Sequence, residues 1–122
     1  MKVQVVGIAD RGIPNRERVH LSVVADGDLS YFVVLKTLLA APEYNRVFGG
    51  TAAAYWFPTT PVKAGDQVIL ASGTGKNSKR QEPSGASTHF FFWGMPNTLW
   101  NTTADNVVVI QAAEWVASRF GG

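Results

Sequence analysis

The segment VILASGTGKNSKRQEPSGAS, residues 68–87, gathers the side chains of this chain that most resemble a chemical site. An apolar run breaks into Gly73, Gly75 and Lys76, the order in which a phosphate-binding loop follows a strand. Such a loop reads G-x-x-x-x-G-K-[ST], so that backbone N–H groups wrap the phosphates and a hydroxyl meets magnesium. Here Leu70 holds the first glycine position and Asn77 the hydroxyl position. The loop must also open a helix, and KRQEPSGAS, with Pro83 and Gly85, is poor helix material. A connection between two strands fits the residues better than a nucleotide site.

Other chemistry is equally thin. Nucleophilic catalysis would draw on Ser84 and His89, but EPSGAS lacks the leading glycine of a G-x-S-x-G elbow. His20 and His89 lack the H-x-x-x-H or H-E-x-x-H spacing of zinc sites, and surface histidines are the simpler reading. Asp26-Gly27-Asp28 could begin a calcium loop but does not continue as D-x-D-x-D-G, and Asp66 with Asp10 supplies no such pattern either. Turn formation explains these aspartates. The residues therefore predict no enzyme, no metal and no cofactor.

Two features point to binding instead. Lys76, Lys79 and Arg80 form a basic cluster on a segment expected to be a loop, where a phosphate backbone or an acidic protein surface could be met. The plainer alternative is a solvated loop. The run FFFW, residues 90–93, cannot enter one core from a strand, because successive side chains point to opposite faces. Either both faces are covered or Phe91 and Trp93 are exposed as a protein-binding or self-association surface. Tyr55 and Phe57, on either side of Trp56, raise the same question.

The elements that would position these residues are strands. Val3, Val5, Val6 and Ile8 open the first, bounded by GIPN. ERVHLSVVAD alternates, with Val19, Leu21 and Val23 on one face and His20 and Ser22 on the other. Asp26-Gly27-Asp28 predicts a tight hairpin turn before the strand YFVVLKT. LLAAPEYN, residues 38–45, fits a helical turn or a loop. Further strands are expected in AAYWFP, QVILA, THFFFWG, NVVVIQA and, at the end, EWVASRF, with a turn at Lys63-Ala64-Gly65-Asp66. Residues 72–88 read as one long loop. Seven or eight short strands without a long helix predict an all-β sandwich or barrel, in which each buried Val, Leu or Phe contributes roughly 1.5–3 kcal/mol. Phe32, Trp56, Phe90, Phe92 and Trp100 are the expected large core residues.

Composition agrees with a single domain over residues 1–122: 46% hydrophobic and 16% charged residues exclude a disordered chain. The net charge of +2 is too small to imply nucleic acid. The absence of cysteine excludes disulfides and thiolate chemistry. No continuous apolar run has the length of a signal peptide core or a membrane span, so a soluble cytoplasmic protein without membrane contact is expected.

The order of features from PVKAGDQVILASGTG through THFFFWG and TLWN to NVVVIQA resembles the second half of a lamin-tail domain in its bacterial form. Gly65, Gly73, Gly75, Trp93-Gly94, Trp100-Asn101 and Asp105 carry the resemblance. ERVHLSVVADGDLSYFVVL and YWFPTTPVKAGD resemble the first half, with Phe32 where a tryptophan is usual. The chain departs from the family at Thr102-Thr103-Ala104 and at Ala112-Ala113. The resemblance implies an immunoglobulin-like β-sandwich acting by protein contacts or self-association. Chromatin partners of lamin tails make nucleic-acid binding by residues 72–88 the alternative.

Overall fold

The fold is described from a computed structural model covering residues 1–38, 53–102 and 105–118. It is an all-β sandwich with ten strands among the described residues: β1 (Val3–Ala9), β2 (Arg18–Val23), β3 (Gly27–Asp28), β4 (Phe32–Leu38), β5 (Ala53–Trp56), β6 (Pro61–Val62), β7 (Gln67–Ala71), β8 (Ser78–Gln81), β9 (Ser87–Phe92) and β10 (Asp105–Gln111). One sheet has the order β1-β2-β7-β9-β8 and the other the order β10-β4-β5, with β3 and β6 forming a small ladder. Among the described residues, no helix is long and apolar enough to cross a membrane.

Period-two patterning builds the core. Val19, Leu21 and Val23 from β2, and Val68 and Leu70 from β7, point inward and are buried. They meet Phe32 and Val34 of β4 across the sandwich, together with Phe57, Phe91 and Trp100. Edge-to-face contacts of Phe91 with Phe57 (5.0 Å between ring centres) and with Tyr55 (6.4 Å) join the two sheets.

The β7–β9 pair is parallel, while β8 and β9 pair antiparallel. The chain thus leaves the position beside β7 open, lays down β8 one place further out, and returns through residues 82–86 so that β9 fills the gap. The connection 72–77 must cross the end of β9. It is fastened there by Gly94 N–H to Gly73 O (2.9 Å), Met95 N–H to Ser72 O (2.9 Å) and Phe92 N–H to Asn77 Oδ1 (3.1 Å).

Several sequence expectations need correction. Residues 72–88 are not one loop: they contain β8 and a hairpin turn closed by Glu82 N–H to Ala86 O at 2.8 Å. Asp26-Gly27-Asp28 is not a hairpin turn. Gly27 and Asp28 pair with Val62 and Pro61, and Asp28 caps the 3₁₀ turn Leu29–Tyr31 by accepting from Ser30 N–H at 2.9 Å. EWVAS forms no strand over 114–118. The expectation for residues 38–45 falls, beyond Leu38, outside the described residues.

The aromatic phase also differs. Phe32 and Trp100 are core, but Trp56 is 50% exposed, and Phe90 and Phe92 are half-buried on the outward side. Phe57 and Phe91 take the inward places. A run that is aromatic in both phases offers either set to the core. The register with the neighbouring strands, Leu70 beside Phe91 and Ile69 beside Phe90, decides between them.

Both edges of the larger sheet are blunted. In β1 the register shifts between Val5 and Gly7, a bulge that interrupts a flat edge. At the other edge β8 is four residues long, exposed throughout, and carries Lys79 and Arg80.

Candidate functional site

The residues singled out by sequence do not converge. Lys76, Lys79 and Arg80 are exposed, but Arg80 Nε bonds Glu82 Oε1 at 2.8 Å and its guanidinium lies 5.2 Å from the Phe90 ring centre. Edge protection of β8 accounts for Lys79 and Arg80 without a ligand. Phe91, only 5% exposed, belongs to the core. Trp93 is half-buried, packed on Trp100 (5.9 Å) and Tyr55 (5.7 Å). Phe91 and Trp93 are therefore not an exposed pair.

The glycine loop has a packing role. A β-carbon on Gly75 would overlap Cδ1, Cε1 and Cζ of Phe92, so the glycine lets the crossover lie flat on that ring. Gly73 meets no comparable obstacle.

The polar residues that catalysis would need are engaged in structure. His89 is buried, contrary to the surface position expected of it, and its Nε2 lies 3.0 Å from Asp66 Oδ2. Asp66 also accepts from Ser87 N–H (3.0 Å) and Lys63 N–H (3.1 Å), tying the 63–66 turn to β9. Burial pushes its carboxyl pKa up, but those bonds and the His89 contact outweigh burial and leave it below the ordinary value. Ser84 sits in the hairpin turn, where its Oγ accepts from Ala86 N–H at 3.4 Å. Among the described residues, no group of three or more His, Cys, Asp or Glu could hold a metal ion.

Glu17 went unnoticed in the sequence. Its carboxylate is buried and accepts from Gly12 N–H (2.8 Å), Leu99 N–H (2.8 Å) and Trp100 N–H (3.0 Å). It clamps the β1–β2 connection to the segment that carries Trp100. No local spacing signals a partner more than eighty residues away.

Two surfaces stand out. The first is the outer face of the three-stranded sheet. Ile110, Val33 and Trp56 form one cross-strand row, and Val108, Leu35 and Ala54 the next. All six positions in these two rows are apolar, where a solvated face normally alternates to polar, and Asn106 with Thr37 forms the polar row beyond them. Trp115 packs edge-on against Trp56 (5.3 Å) and Tyr31 (5.7 Å), yet each of these rings remains about half exposed. The sequence signal was present: YFVVL and NVVVI are apolar in both phases of the strand.

The second is a groove of about 910 Å³ on the outer face of the five-stranded sheet. Its floor is the cross-strand row His20, Ile69, Phe90 and the next row with Ala71 and Phe92. Residues 82–86 wall one side, and Asn15 and Arg16 the other. His20 does face outward as expected. Burial, and secondarily Arg18, lower its pKa, so near neutral pH the imidazole joins the floor uncharged. Comparison with protein-family models, with curated proteins and with solved structures finds no match for this chain.

Proposed function

We propose that this domain is a non-catalytic interaction module that associates with a second copy of itself through the outer face of the three-stranded sheet. The observation that carries the reading is the pair of uncharged, fully apolar rows Ile110–Val33–Trp56 and Val108–Leu35–Ala54. Ala54, Trp56 and Ile110 are exposed and Val33, Leu35 and Val108 half-buried, and a contiguous apolar patch of this kind marks a contact surface. A twofold contact places the same patch on both partners, so any charge within it would face its like. These six positions carry none, and two copies can meet without repulsion despite the net charge of +2. Trp56, Trp115 and Tyr31 supply the large rings that dominate binding energy at interface centres. The resemblance to lamin-tail domains supports an interaction role in the same direction.

Light scattering during size exclusion tests this. The wild type is expected at twice 13.2 kDa and Trp56→Glu at 13.2 kDa. A wild type that stays monomeric up to ~1 mM overturns self-association, since a contact weaker than that retains only about 4 kcal/mol.

A further inference from the structure

We propose that the groove on the outer face of the five-stranded sheet binds an amphipathic carboxylate: a chain-like or aromatic body carrying one carboxylate group. The groove lies on the other sheet from the self-association face, and the inference does not rest on that reading.

Three properties support it. First, two rows of the floor are apolar where a free sheet face would be polar: Ile69, Ala71, Phe90 and Phe92 lie side by side across β7 and β9, with Gln67 and Thr88 forming a polar row beyond them. Second, it is walled. The 82–86 hairpin turn and the 15–16 segment border it on opposite sides, and the open groove's volume of about 910 Å³ lies within the range of small-molecule sites, roughly 300–1,000 Å³. Third, its rim is cationic. Arg16, Arg18 and Arg80 border the groove, and the carboxylates that answer them are Asp10 and Glu82. Two acids against three guanidiniums leave one positive charge uncompensated beside an apolar floor. Arg16 is the most open of the three. Its guanidinium is 3.7 Å from Asp10, while Arg18 holds the same carboxylate at 2.7 Å and also bonds Arg16 O at 2.8 Å. A guanidinium so placed can take a carboxylate head in paired hydrogen bonds while the tail lies on Ile69 and Phe90.

Titration of the isotope-labelled protein with decanoate tests the site, with decyltrimethylammonium as a cation of the same tail. Saturable amide shifts at His20, Ile69, Phe90 and Phe92 are expected, with a dissociation constant below ~1 mM. The cation should bind at least about fivefold more weakly, as should decanoate to Arg16→Gln, because each loses one charge contact. Trp56→Glu should leave the decanoate shifts unchanged, so failure of the groove and failure of the dimer read separately. Ile69→Glu, which sets a carboxylate in the floor, should abolish the shifts. If that variant does not fold, the wild-type map and the Arg16→Gln titration still decide. Shifts confined to Val33, Trp56 and Ile110, equal affinity for the cation, or no saturation up to several times ~1 mM would overturn the proposal.

Discussion

Gly75 lies against the ring of Phe92 with no space for a β-carbon between them. That contact gives the Gly75-Lys76 pair its structural meaning: the chain must pass over the end of β9 to reach β8, and a bare backbone lets it pass closely. Gly75→Ala is expected to displace the ring and cost about 1–3 kcal/mol in urea unfolding. Gly73→Ala, where the nearest atom stands at 3.7 Å, should cost less than about 0.5 kcal/mol. Equal effects at the two glycines would contradict the packing account.

Glu17 should be among the most sensitive polar positions. Glu17→Ala strands the N–H groups of Gly12, Leu99 and Trp100, and a buried unsatisfied donor costs about 1–3 kcal/mol. A loss of at least about 3 kcal/mol is expected, with Glu17→Gln losing less because one oxygen remains to accept. Chemical denaturation of both variants checks the order.

Acid should weaken the fold through Asp66. Its folded pKa is held below the ordinary 3.8, so the folded state releases its proton more readily than the unfolded one. The stabilisation is present above pH 3.8 and is lost as pH falls through the folded value. Asp105 shifts the same way: burial raises its pKa, and hydrogen bonds from Thr102 together with Lys36 lower it further than that. Asp66→Asn should be less stable near neutrality and show a flatter acid limb in unfolding measured against pH.

His20 should act in a separate window. Burial and Arg18 lower its folded pKa from 6.5, so the unfolded chain takes up a proton first as the pH drops. Stability is retained above pH 6.5, declines below it, and levels once the folded imidazole is also protonated. His20→Gln should remove that slope and leave the more acidic one from Asp66. A slope that survives the substitution would assign it elsewhere.

The self-association face predicts a charge-insensitive contact. Trp56→Glu and Val33→Glu should each abolish dimers in sedimentation at tens of micromolar, while Lys79→Ala leaves them intact. Raising salt should not weaken the dimer, because no ion pair belongs to the two apolar rows.

Local pattern alone determined that this chain is all-β. Alternation in VHLSV assigned Val19, Leu21 and Val23 to the interior, because one face of that strand is apolar and the other is not. Strands apolar in both phases carried no such instruction. AAYWF and THFFFW could present either set inward, and pairing beside β4 and β7 chose Tyr55, Phe57 and Phe91, leaving Trp56, Phe90 and Phe92 outward. Only the assembled sheets brought Glu17 to Trp100, laid Gly75 on Phe92 and set Arg16 across from Arg80 beside one groove. Those relationships join residues far apart in the chain. They arise from the order in which strands lie side by side, which no stretch of sequence records locally.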